Sequence, residues 1–163
     1  MSLTDVQQKF VSAWGQMGSA WGISRTQAEV HALLYITGEP LCTDDVMENL
    51  QISRGNASMS LRALLDWGVV SRTHKRGDRK EYFVAEQDVW TMFRSIVRQR
   101  LKREVDPLLA FLYEIRDMRP SDPEHTARLD ALLEFFNMVE TLGQRFAGPT
   151  GMGLEHAARM LDE

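Results

Sequence analysis

The stretch TDDVMENLQISRGNASMSLRALLDWGVVSRTHKRGDRKEYFVA, residues Thr43 to Ala85, decides how the rest of the chain is read. Thr43 ahead of Asp44 and Asp45 predicts a short helix over Thr43 to Leu50. A threonine oxygen can cap the free amides, and carboxylates suit the positive end of the helix. Gln51 and Ile52 interrupt it, and Ser53 caps a second helix that runs to Gly68. Within that helix Ala57, Leu61, Leu64 and Leu65 recur at i, i+4, i+7 and i+8, one buried stripe at helical period. The opposite face carries Arg54, Ser58 and Arg62, with Gly55, Asn56 and Met59 beside them at the front end. A helix presenting arginine and asparagine there suits a major groove, where Arg pairs with guanine and Asn with adenine.

After Trp67-Gly68, the run Val69 to His74 is rich in β-branched residues, and Glu81-Tyr82-Phe83-Val84 answers it across a charged turn. Gly77-Asp78 supplies the turn's backbone freedom. Lys75, Arg76, Arg79 and Lys80 crowd the tip, an arrangement that repels itself unless a polyanion offsets it. The pattern predicts a winged helix-turn-helix. The fold class is mainly α with a small β-hairpin wing, extended by long N- and C-terminal helices.

The quoted residues carry a further signal. SRGNASMSLR at 53–62, LDWGVV at 65–70 and HKRGDRKEY at 74–82 resemble the GbsR branch of the MarR-type transcriptional regulators, over roughly residues 24 to 93. That resemblance implies a dimeric, DNA-binding regulator of a small gene set. It also brings a quaternary ammonium osmolyte such as choline into view as an effector. Trp14, Trp21, Trp67, Trp90, Phe93 and Tyr113 are the candidate aromatic cage, since cations sit well on indole faces. Aromatics at helical spacing are more often core.

At 163 residues the chain can bury one good core, which argues for one winged-helix unit with helical extensions. The expected segments are a dimerising N-terminal helix over residues 1–23, the DNA-binding region over 24–87 and a helical dimerisation region over 88–163. The single cysteine, Cys42, fits a reduced, cytoplasmic setting. No apolar run approaches the roughly 20 residues that span a bilayer, and the start MSLTDVQQKF lacks signal-peptide regions. A soluble protein without a membrane partner is expected.

The net charge of -4 conceals a segregation. Residues 53–103 hold twelve Lys/Arg against five Asp/Glu, leaving seven against eighteen elsewhere. One surface is thus suited to phosphate while the remainder is acidic. Catalytic signals are missing. His31, His74, His125 and His156 are dispersed without metal-ligand spacing, and Gly148 to Gly153 lacks the Gly-Lys-Ser/Thr of a phosphate loop. There is no nucleophile elbow or dinucleotide fingerprint. No enzyme, cofactor or metal is expected.

Around the central stretch, Thr4 with Gln7 predicts a capping box opening a helix over residues 4–21. Its stripe Val6, Phe10, Trp14, Met17 and Trp21 is expected to pack partly on the chain's own core and partly on a second subunit. Ser24 with Gln27 opens the next helix, which Gly38 and Pro40 stop. Leu41-Cys42 is expected as a third strand beside the wing.

From Asp88 an apolar period through Val89, Phe93, Ile96, Val97, Leu101, Val105, Leu108 and Leu112 continues across Pro107, which favours one kinked helix, with Asp106-Pro107 as the start of a separate helix the alternative. The cations Arg94, Arg98, Arg100, Lys102 and Arg103 offer either a contact to DNA flanks or pairing with acidic neighbours, and a solvated face is the preferred reading. Arg119 to Pro123 is a loop, with Ser121 or Asp122 capping a last long helix buried through Leu129, Leu132, Leu133, Phe136, Val139, Gly143 and Phe146. Ala147 to Gly151 reads as flexible, followed by a short amphipathic end at Leu154, Ala157, Ala158 and Leu161.

Together these readings predict a homodimeric repressor on a pseudo-palindromic DNA duplex, with its two recognition helices about 34 Å apart. A winged-helix protein-interaction module that never meets DNA is the competing reading.

Overall fold

The computed structural model describes residues 2–118, 122–149 and 151–161. The chain forms two compact units, Met1–Met92 and Phe93–Glu163. The first contains α1 (Asp5–Ala20), α2 (Arg25–Thr37), β1 (Leu41–Cys42), α3 (Thr43–Leu50), α4 (Arg54–Trp67), β2 (Val70–Thr73) and β3 (Tyr82–Ala85), and α5 (Val89–Arg100) begins within it. The three strands form an antiparallel sheet in the order β1-β3-β2. Leu41 faces Phe83 and Cys42 faces Tyr82, while Val70 to Thr73 pair with Ala85 back to Tyr82. The winged helix-turn-helix and its third strand are therefore both present.

Local chemistry explains the helix ends. Thr4 Oγ1 accepts from the Gln7 amide at 3.3 Å while the Thr4 amide donates to Gln7 Oε1 at 2.9 Å, closing the expected capping box. Ser24 caps α2 and Ser53 caps α4, each accepting from the amide three residues on. Gly38 and Gly68 close α2 and α4 in the left-handed region, at φ 65° and 74°. One cap differs from expectation: Thr43 is the first residue of α3, and Cys42 is its N-cap. Pairing with Tyr82 keeps Cys42 extended, and Asp45 Oδ2 reaches back to accept its amide at 2.8 Å.

The stripe on α1 also differs. The helix buries Val11, Gly15 and Gly18, whereas Val6 and Trp21 are exposed and Phe10, Trp14 and Met17 are half-buried. The reason is steric. A Cβ built on Gly18 would lie 2.4 Å from the Ala28 Cβ, so the two helices approach through a seam that only small residues permit. Beside that seam, Trp14 Nε1 donates to Nδ1 of buried His31 at 3.3 Å. On α4, Ala57, Leu61 and Leu64 are buried as expected. Leu65 is only half-buried, and Ser60 and Trp67 are buried with the stripe. The core of this unit centres on Val30, Leu33, Leu34, Val46 and Leu61.

The second unit holds the rest of α5, a π-helical turn (Leu101–Val105), α6 (Asp106–Asp117), α7 (Pro123–Ala147) and α8 (Gly151–Met160). The helical backbone continues through Pro107, as the apolar period predicts: Arg100, Val105 and Asp106 all keep right-handed helical angles. The Asp106 amide donates to the Leu101 carbonyl, five residues back. That widened turn just before Pro107 accommodates a residue that has no amide proton and crowds the preceding turn.

Leu109, Leu112 and Leu133 form this unit's core, with Val105, Leu108, Leu129 and Phe136 against it. Leu132 departs from its expected burial. It is exposed on α7 with Phe135, Met138 and Leu142.

Asp122 caps α7 through the amides of Glu124 and His125, and those bonds hold its carboxyl below the usual range. Ser121, the alternative cap, lies outside the described residues. The cations of α5 are largely engaged: Arg94 pairs with Glu155 at 2.7 Å, Arg98 donates to the Ala147 carbonyl at 2.7 Å, and Arg100 pairs with Glu104 at 3.0 Å. The stretch expected to be flexible gives way to α8 at Gly151, and Thr150 lies outside the described residues. Among the described residues, no helix is long and apolar enough to cross a membrane.

Candidate nucleic-acid interface

Ser53, held extended and bonded to the Asn56 amide, starts α4 so that one face of its first two turns stands free of the core while Ala57 and Leu61 are buried on the other. Arg54, Gly55, Asn56, Met59 and Arg62 are exposed there and Ser58 is half-buried. The wing is built by the sheet. Gly77 takes φ 86°, and the Asp78 amide donates to the Lys75 carbonyl at 3.1 Å, which folds the tip back on itself. Tyr82 Oη donates to Asp78 Oδ2 at 2.6 Å, and Lys75 Nζ stands 4.3 Å over the Tyr82 ring. That hydroxyl, first among the causes, keeps the Asp78 carboxyl low, and the bond in turn pushes Tyr82 up to about 12. The tip is thus a braced turn displaying Lys75, Arg76, Arg79 and Lys80 to solvent.

Helix front and wing meet. Asp44, in the first turn of α3, pairs with Arg54 and also with Lys80, 3.7 Å away. Further along, Ser58, Arg62 and Leu65 of α4 share a crevice of about 130 Å³ with Arg72, Glu81 and Phe83 of the sheet. Arg72 and Glu81 close its rim as an ion pair at 2.8 Å. Next to Asp44, burial works to raise the Asp45 carboxyl, but the Cys42 hydrogen bonds and the charges of Lys75 and Lys80 hold it below its ordinary value. Among the described residues Arg62, Arg76 and Arg79 form no ion pair. The ten residues singled out on recognition helix and wing therefore lie on one unit, with Arg54 and Lys80 joined through Asp44. Asp44 and Arg72 were not among them, because nothing local in their stretches points at a wing or helix folded against them.

The model of the bacterial regulatory protein arsR family matches residues 29–72, from α2 into β2. The HTH-type transcriptional repressor GbsR of Bacillus subtilis (strain 168) is 34% identical over 85 residues, 52% of this chain and 47% of that protein. The chain is thus similar to GbsR over about half its own length. A second curated relative from the same organism is 22% identical over 91 residues, 56% of this chain and 51% of its own length. The chain spans about half the length of the curated relatives it matches. A solved structure described as a transcriptional regulator superposes with a TM-score of 0.72 at 19% identity, over 90% of this chain and 99% of that one, and shows the fold. The chain thus carries a helix-turn-helix region similar to those of bacterial transcription regulators.

The aromatic candidates are divided between the units. Trp14, Trp21, Trp67 and Trp90 belong to the first, and Phe93 and Tyr113 to the second. Trp14 is committed to its own seam, stacked on Phe10 at 5.6 Å between ring centres and edge-on to His31. Trp67 is buried at the end of α4, Trp21 is exposed, and Trp90 and Phe93 are half-buried on α5. Tyr113 accepts a hydrogen bond from Asn137 at 3.0 Å. Among the described residues, no His, Cys, Asp or Glu cluster is arranged to hold a metal ion.

Proposed function

We propose that this protein is a sequence-specific DNA-binding transcriptional repressor that acts as a homodimer on a pseudo-palindromic operator. The observation that carries the reading is the shared face. Arg54 at the front of the recognition helix and Lys80 of the wing stand together at one carboxylate, so both can meet the same duplex. In this reading Arg54, Asn56, Ser58 and Arg62 address base edges, with Gly55 and Met59 at the groove wall. Lys75, Arg76, Arg79 and Lys80 lie on phosphates or in the minor groove.

Gly55 supports it. A Cβ there would make only an ordinary contact with Ser53 Oγ at 4.0 Å, so packing within the protein does not require a glycine, and its missing side chain suits close approach of an outside backbone. The dimer is supported by the exposed apolar line Leu132, Phe135, Met138 and Leu142 on α7.

Fluorescence anisotropy of a labelled random-sequence duplex against salt tests the reading. Retention should fall steeply with salt, and Arg79→Ala should flatten the log-log slope by about one contact, roughly 0.9. Absence of binding at any salt would refute DNA binding and favour a protein-interaction role. An unchanged slope in Arg79→Ala would remove that residue from the phosphate contacts.

A further inference from the structure

We propose that Asp44 is a built-in discriminator, a carboxylate on the duplex-facing surface that opposes phosphate contacts by Arg54 and Lys80 while leaving Arg54 able to read a base. The proposal rests on the DNA-binding reading above and assigns to one residue the balance between specific and indiscriminate binding.

Two neighbouring aspartates open α3, and the structure separates their tasks. Asp45 turns back to accept the Cys42 amide and so closes the helix's own first turn. Asp44 turns outward, and among the described residues its partners are Arg54 on α4 and Lys80 on the wing. Both pairs are half-exposed, with side-chain exposures of 65% and 57% for the two cations and 51% for the acid. Ion pairs that wet add little to stability. The favourable interaction of an acid with the helix end is already supplied by Asp45. What Asp44 does instead is set the charge that an approaching polyanion meets.

For a phosphate the arrangement is unfavourable twice over. It must displace a carboxylate from Arg54 and Lys80, and it must then lie beside that carboxylate. A guanine edge brings no net charge. It needs two donors of a guanidinium that has five, so Arg54 can serve it while Asp44 holds another edge and fixes the plane. Asp44 therefore weakens the contact common to all DNA and spares the contact that distinguishes sequences. Lys75, Arg76 and Arg79 of the wing, without ion pairs among the described residues, are left to carry the general attraction.

The test compares wild type with Asp44→Asn by anisotropy on two duplexes, a random sequence and a site recovered by selection from a random pool, across a salt series. The variant should bind the random duplex about three- to tenfold more tightly near 0.1 M salt, with a slope steeper by about one to two released cations. Its ratio of selected to random affinity should fall. Asp44→Ser, which keeps a first-turn hydrogen-bonding residue, should move all three quantities the same way, and a melting curve shows that each variant is folded. In an Arg54→Gln/Lys80→Gln background, Asp44→Asn should leave the slope where it was. Wild type that binds DNA, with folded Asp44 variants whose random-duplex affinity and slope are unchanged or lower, would overturn this inference alone. Wild type that binds neither duplex would overturn the DNA-binding reading and this inference with it.

Discussion

Acidification from neutral pH to pH 4 should cost this protein about 3 kcal/mol through a single ring, that of His31. The imidazole is 5% exposed, deep in the α1–α2 seam. An indole nitrogen can only donate, so the Trp14 bond at 3.3 Å requires Nδ1 to be the bare nitrogen and places the proton on Nε2. Nε2 is buried and has no partner among the described residues.

A second proton would have to go to Nδ1, where it would face the Trp14 N–H in a site with no compensating acid, and burial accordingly lowers the pKa from 6.5 to about 4. The folded state binds this proton less readily than the unfolded chain. The contribution is therefore complete above pH 6.5 and is lost as pH falls from there to about 4. At 1.36 kcal/mol per unit the whole loss is about 3 kcal/mol, a large part of the roughly 5–15 kcal/mol that stabilises a domain.

Urea unfolding followed by circular dichroism, from pH 8 to pH 4, measures it against His31→Gln. Glutamine keeps an acceptor for Trp14 and does not titrate. Asp45, Asp78 and Asp122, whose carboxyls are all held low, also withdraw stability in acid, but they are common to both proteins and cancel in the difference. The wild-type-minus-variant gap should be flat above pH 7 and should shrink by about 3 kcal/mol by pH 4. Parallel curves would refute the reasoning, as would a His31 ring that titrates near 6.5 by NMR.

Two further outcomes are expected. Gly18→Ala gains about 1 kcal/mol in helix propensity, but its methyl would sit 2.4 Å from the Ala28 Cβ, so separating the helices should win and melting should show a net loss of about 1–2 kcal/mol. Phe135→Asp, on the exposed line of α7, should leave the circular-dichroism spectrum unchanged and shift sedimentation from dimer to monomer at micromolar concentration. A dimer that persists would place the subunit contact elsewhere.

Where the chain reads directly, each signal and its effect lie a few residues apart. Thr4 with Gln7, Ser24, Ser53, Gly38 and Gly68 mark helix ends because a cap bonds amides or carbonyls within one turn of itself. Gly77-Asp78 between a β-branched run and the aromatic run Tyr82-Phe83 marks the wing for the same reason. The basic tip and the polar front of α4 were legible as candidate site residues because charge and period are written along the chain. Trp67 was set apart as a cage residue, and only its place at the inner end of α4 shows it to be core.

Composition and period alone determined that this chain would make a helix-rich winged helix with a cationic hairpin. Those choices depend on local backbone preference and on apolar residues recurring with the helical turn. They did not determine which line of α1 goes inside. Aromatic residues dominate the sequence there, yet the helices met along Val11, Gly15 and Gly18, because closeness of approach is a property of two surfaces together. Nor did they determine the role of Asp44. Its partners lie on the next helix and on the wing, and a carboxylate finds such cations only once folding has brought those elements to the same side.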